Sequence, residues 1–205
     1  MVAEKSPNRL KRSAKKIPKF LVAEILNGHP IYYKGYQEVL NGSKTIEEIM
    51  GSSSLQAFII GFILKTLYKN LDDQKYLIFT NEAGLHIDKR SNLSGDILIY
   101  ERDSLPITNI NENYFSLPPK IVIEVDITID TASLGTEGYV HNKTKKLLDF
   151  GVEKVIWITT PAKTVLIARA NEDWQIKDWN KNIDILEQVQ INIGTYLNEQ
   201  GLKLD

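Results

Sequence analysis

The eight residues from Lys120 to Ile127, KIVIEVDI, constrain the fold of this chain more than any other stretch. Strand alternation places Ile121, Ile123, Val125 and Ile127 on one side of a pleat, and Val122, Glu124 and Asp126 on the other. So apolar a strand belongs inside a sheet. An acid pair on it is costly unless the carboxylates are solvated, paired or holding a metal.

A lysine-rich segment with helical spacing follows. A helix over roughly 136–150, with Gly151 as its C′ residue, puts Tyr139, Lys143, Lys146/Leu147 and Phe150 on one face. Lys143 is then set among residues expected to face the sheet, whereas Lys145 points elsewhere. The commoner fate of such a lysine is to snorkel to water. The alternative is that its ammonium reaches the carboxylates, with Lys146 the second candidate for that role and Lys145 the third.

The remaining elements support a sheet around this unit. Residues 19–27 read as a strand or short helix, His29 to Tyr36 as extended, and 45–50 as a short helix. The strongest helix runs from Leu55 to Leu71, with Ser52 to Ser54 offering N-cap oxygens and apolar residues repeating every three or four positions. Short strands follow at Tyr76 to Thr80 and Leu85 to Ile87, separated by turn chemistry at Asn81 to Gly84. Ser91 to Gly95 reads as a loop, 96–100 as a strand, and 104–119 as a proline-rich loop of lid or insertion length. After the helix come strands at Val155 to Thr160, Val165 to Arg169 and Trp174 to Trp179, then a strand or loop and a terminal helix. The order predicts an α/β (α+β) domain with a mixed central sheet flanked by helices.

At 205 residues the chain suits one well-cored domain, expected over 19–205, behind a basic, disordered tail over 1–18. The first 20 residues carry seven Lys/Arg against one acid, which leaves 18 basic and 25 acidic residues for the other 185. A basic arm on an acidic body points either to nucleic-acid contact through the arm or to a solubilising tail. With no cysteine, disulfides, thiolate catalysis and cysteine-ligated metals are excluded, and the three scattered histidines argue against a histidine zinc site. No secretory signal is visible, and the apolar run Leu55 to Leu64 covers about half a bilayer. The expectation is a cytoplasmic protein with no membrane association.

Asp96 follows Gly95 at the mouth of a strand. If that strand neighbours the one carrying Glu124, the two carboxylates can converge on one Mg²⁺ or Mn²⁺, with Asp126 adding a carboxylate or bonding a metal-bound water. Such an ion suits hydrolysis of a phosphodiester, where it lowers the pKa of water and neutralises charge developing on the phosphate. Lys143, or Lys146, would orient the attacking water and stabilise the phosphate. Alone, an Asp with a later Glu-x-Asp is a weak signal, more often a strand end with one polar face.

Gly95-Asp96 before an apolar strand, Pro118 to Val125 (PPKIVIEV), Lys143, Gly151-Val152 and Trp157 together resemble the bacterial Uma-type restriction endonuclease family of the PD-(D/E)XK nuclease superfamily. The stretch from Gly28 to Leu71 resembles its N-terminal half. The resemblance implies a restriction-endonuclease-like fold and a Mg²⁺- or Mn²⁺-dependent endonuclease (a hydrolase) acting on DNA, and it implies a homodimer. It puts Asp96 at the acid of the first half-motif and Glu124 at the acid of the second. Asp126 stands where the superfamily most often has lysine, and Lys143 matches the helix lysine that takes over that role. Glu47, Glu48 and Gln56 are lesser matches. A second reading is a catalytically inactive nucleic-acid-binding or interaction module of nuclease fold, and a third is this fold with a substrate other than DNA.

Overall fold

The computed structural model describes residues 17–202 except 128, 133 and 134, so the basic arm up to residue 16 lies outside the described residues. A short 3₁₀ turn leads into the hairpin β1 (Val22–Leu26) and β2 (His29–Tyr32). Two short helices, α1 (Tyr36–Leu40) and α2 (Glu47–Met50), precede the long α3 (Ser54–Asn70). The cap of α3 is Ser53, whose side chain accepts from Gln56 N at 3.1 Å. The long hairpin β3 (Tyr76–Asp88) and β4 (Ser91–Glu101) follows, then β5 (Ile121–Val125), α4 (Thr136–Phe150) and β6 (Lys154–Thr159). Strands β7 (Thr164–Arg169) and β8 (Gln175–Asp178), a small hairpin β9 (Ile183–Leu186) and β10 (Val189–Ile191), and helix α5 (Ile193–Glu199) complete the chain.

The main sheet has eight strands in the order β2-β1-β4-β5-β6-β7-β8, with β3 also paired to β4. Strands β5 and β6 are parallel and joined through α4, while the other pairings are antiparallel, giving the expected mixed sheet. Alternation along β4 and β5 divides the core. Ile97, Ile99, Ile121, Ile123 and Val125 pack with Ile59, Ile63 and Leu67 of α3. Leu98, Tyr100 and Val122 pack on the other face with Tyr139 and Leu147 of α4 and with Trp157. Asp96 and Glu124 share the parity of that second face and look toward α4.

The turn expected at Asn81 to Gly84 is a bulge inside one continuous strand. Thr80 pairs with Ile97 and Ala83 with Gly95, so Asn81 and Glu82, both at positive φ, stand opposite Asp96 alone. The chain reverses instead at Lys89-Arg90, where Asp88 Oδ1 accepts from Arg90 N, so Ser91 to Gly95 is strand rather than loop. Helix α4 and its Gly151 C-cap (φ 117°) lie where the periodicity places them. No helix among the described residues is long and apolar enough to cross a membrane.

Candidate active site

Antiparallel pairing of Ile97 with Ile123 sets Asp96 across from Glu124 one step along the ladder. The Asp96 carboxylate is fixed by the neighbouring strand, its Oδ2 accepting from Val125 N at 2.7 Å. Both acids line a small cavity of about 40 Å³ together with Glu24, Glu82, Ser94, Gln56, Tyr139, Lys143 and Trp157. That is room for an ion and a few waters. Gly95 keeps this corner open: a Cβ there would sit 2.6 Å from Leu98 Cδ2 and 3.7 Å from Glu124 Oε1.

Lys143 does not snorkel. It is 2% exposed, and its Nζ lies 2.9 Å from Glu124 Oε1 and 2.7 Å from Glu24 Oε1, over the rings of Tyr139 and Trp157. The contact with Glu24 is a hydrogen bond. The approach to Glu124 Oε1 is off the hydrogen-bond direction, which leaves that oxygen buried with an ionic neighbour and no aimed donor. That oxygen is already faced by one cation, the Lys143 ammonium.

Other expected residues sit differently. Strand β5 ends at Val125, and Asp126 turns to φ 60°. Its Oδ1 accepts from Thr160 N and its Oδ2 from Thr160 Oγ1, each at 2.7 Å, so Asp126 ties the end of β5 to β6 at the edge of the cavity. Lys146 pairs with Asp88 Oδ2 at 2.6 Å, outside the cavity, and Lys145 is exposed. Glu48 Oε2 accepts from Thr45 N just before α2, and Glu47 is exposed. Gln56 is buried at the cavity wall and donates toward Asp96.

Two acids of the cavity went unread in the sequence. Glu24, on β1, is 4% exposed; it accepts from Ser94 N (2.9 Å), Ser94 Oγ (3.0 Å), Lys143 Nζ (2.7 Å) and Tyr139 Oη (2.7 Å). Glu82 is aimed into the cavity by the bulge of β3.

Burial is the main force on the two central acids. It lifts Asp96 to about 6, against the Val125 N–H and Lys143, and lifts Glu124 to about 8, with Lys143 opposing and Asp96 and Glu24 adding to the rise. Burial acts on Glu24 too, but Lys143, Tyr139 and Ser94 outweigh it and hold that carboxyl below its ordinary value. Because Asp96 and Glu124 bind protons more tightly folded than unfolded, their contribution to stability is complete at low pH and is lost as pH rises through about 6 and then about 8. Thermal denaturation in chelator is expected to show the melting temperature falling from about pH 5 to about pH 9, by an amount equivalent to a few kcal/mol. A flat profile would contradict this assignment of charge.

The donor set fits a hard divalent ion. Among the described residues no three His, Cys, Asp or Glu side chains are arranged to hold a metal. Magnesium, however, usually takes one or two carboxylates and completes its shell with water and substrate oxygens, and Asp96 with Glu124 provides such a pair.

No protein-family model matches the sequence. No curated protein matches it either. Among solved structures, the chain is similar to a candidate nuclease belonging to DUF820 from Anabaena variabilis, at 14% identity and a TM-score of 0.59, over 85% of this chain and 89% of that one. At this identity the likeness shows a shared fold.

Proposed function

We propose that this chain is a metal-dependent endonuclease of the PD-(D/E)XK superfamily, of Uma type, that hydrolyses phosphodiester bonds in DNA. The observation that carries the reading is the convergence of Asp96, Glu124 and Lys143 on one cavity, with Glu124 Oε1 buried and lacking a directed donor. The likeness to the DUF820 structure, itself described as a candidate nuclease, agrees with it.

In this reading Asp96 and Glu124 hold Mg²⁺ or Mn²⁺. The bound ion supplies a water of lowered pKa and neutralises charge on the phosphate. Lys143 brings a fixed positive charge in a dry setting, where it is worth more than in water, and it orients the attacking water against the phosphate. Tyr139 and Trp157 wall that charge off from solvent. Asp126 holds the edge of the cavity through Thr160, and Lys146 pairs with Asp88 outside it.

Substrate reaches the cavity through an open groove of about 910 Å³ between residues 34–53 and residues 129–132, which shares Gln56, Asp126, Ile127 and Ile129 with it. The groove favours attention to the second reading, an inactive nucleic-acid-binding or interaction module. Its wall sets Lys34 and Lys44 against Glu38, Glu48 and Asp130, which is not the strongly basic lining that grips a duplex.

The decisive experiment incubates purified protein with supercoiled and linear DNA and Mg²⁺ or Mn²⁺, beside Asp96→Ala. Cutting by the wild type and loss of at least about 100-fold in the variant are expected. Equal cutting by both would sink the active-site assignment, and no cutting by either would favour the module.

A further inference from the structure

Beside the cavity, residues 114–116 lie along β3. Phe115 N donates to Gly84 O at 3.0 Å, and His86 N donates to Phe115 O at 2.8 Å. The Phe115 ring packs on Phe79 and Tyr100, with centroids 4.9 and 5.2 Å away, so this segment is fixed. The preceding side chain, Tyr114, is 57% exposed and lies against Gly84. A Cβ on Gly84 would stand 2.6 to 2.7 Å from three adjacent ring atoms, Cγ, Cδ1 and Cε1, so the phenol lies face-on over the glycine. Gly84 sits in β3 without a positive φ, so glycine is required there by the ring above it and not by the backbone. One face of the phenol is seated on the strand, and the rest is open to solvent.

This seat adjoins the cavity. Gly84 pairs across the ladder with Ser94 and follows Glu82 by two residues, and both of those residues line the cavity. Tyr33, another lining residue, has its phenol pushed up by burial, with Glu82, Tyr114 and Glu24 adding to the rise. Tyr114 also lines an open groove of about 750 Å³ with His86, Asn92, Asn109, Asn111 and Asn113. Among the described residues that line this groove there is one acid, Glu112, and no Lys or Arg. A groove of amides without cations is a poor grip for the phosphates of a duplex. It suits an unpaired base, whose face stacks on an aromatic ring and whose edge carries hydrogen-bond donors and acceptors.

We propose that Tyr114 is a stacking platform for an unpaired base of a nucleic-acid strand that crosses the cavity, with the Asn-lined groove taking the bases that follow. This role rests on the nuclease reading above for the phosphodiester in the cavity. It makes the favoured substrate a single strand or a frayed end rather than a closed duplex.

The test measures binding of a single-stranded DNA of about ten nucleotides to the full chain by fluorescence anisotropy, in chelator and in Ca²⁺. A fluorescent adenine analogue in the strand, quenched on stacking, reports the contact. Wild type is expected to bind the strand and quench the analogue, and to bind a blunt duplex of the same length more weakly. Tyr114→Ala, at an exposed position, is expected to weaken binding about fivefold or more and to abolish the quenching, whereas Tyr114→Phe keeps the ring and stays within about twofold. Gly84→Ala pushes the ring off its seat. It is expected to weaken binding in the wild-type background and to have less than about a twofold effect beside Tyr114→Ala. Undiminished binding by Tyr114→Ala, an equal loss from Gly84→Ala in both backgrounds, tighter binding of the duplex, or no binding of either DNA overturns the platform. The cutting assay reads the nuclease assignment separately. DNA cut by the wild type with no response to Tyr114 removes the platform alone, whereas Tyr114-dependent binding without cutting supports the platform and removes the nuclease.

Discussion

Glu124→Gln is expected to abolish DNA cleavage while making the metal-free protein harder to melt above about pH 8. Both effects have one origin. The Glu124 carboxyl is buried and pushed up to about 8, so its ionised form stays costly even with the Lys143 ammonium beside it. Glutamine keeps the shape and removes the charge. The cavity then holds Glu24 and Lys143 as a matched pair, with a neutral amide beside them. The gain is expected to be about 1–2 kcal/mol, or roughly 3–6 °C for a chain of this length. Turnover is expected to fall by at least about 10³-fold, because the carboxylate charge proposed to hold the ion is lost. Melting curves in chelator at about pH 8.5, beside a plasmid-cutting assay, read both. Lower thermal stability with unchanged cutting would show that Glu124 is structural.

Lys143→Ala is expected to be the most damaging single change in the cavity. It leaves Glu24 and Glu124 enclosed without their shared counter-ion, and breaking a buried pair from one side costs about 3–5 kcal/mol. Lost contact with the Tyr139 and Trp157 rings adds to that. The deficit has a definite pH dependence. Both carboxyls titrate higher without the ammonium, so the penalty is smallest in acid, where they are protonated, and grows as pH rises. Denaturant titrations at about pH 5 and pH 8 are expected to show a clearly larger loss at the higher pH. An equal loss at both would place the effect in packing rather than charge.

Much of this arrangement was legible in the residues. The helical face shared by Tyr139 and Lys143 needs only local spacing, and α4 lies over the predicted residues with its Gly151 cap. The crossover from β5 through α4 to β6 follows from a strand–helix–strand order, and the pairing of β5 with β4, on which the carboxylate reading was conditional, brings Asp96 opposite Glu124. What stayed hidden depends on contacts far along the chain or on a break in regularity. Glu24 looks like one acid in an apolar strand, and its partner Lys143 is 119 residues away. The only local hint was that VAEIL buries an acid unless something answers it. Asn81 to Gly84 has turn composition, and left-handed residues serve a bulge as well as a turn; pairing with β4 decided which. Asp126 was placed by continuing the alternation of β5 one step too far, and its left-handed backbone ends the strand before that step.

The attachment of the N-terminal hairpin has a consequence for the order of assembly. Strand β1 meets β4 through one ladder pair, Ile25 with Asn92, backed by bonds from residues 27 and 28 to Ser91 and Arg90. Beyond its ladder with β2, strand β1 is also tied to the rest of the molecule through Glu24, which bonds Ser94 of β4 and Tyr139 and Lys143 of α4. During synthesis β1 is made early, but its carboxylate has no ammonium to meet until α4 has emerged. The pocket is thus complete only once both ends of that ion pair have been synthesised. Amide exchange in β1 and the integrity of the pocket should rise and fall as one cooperative unit.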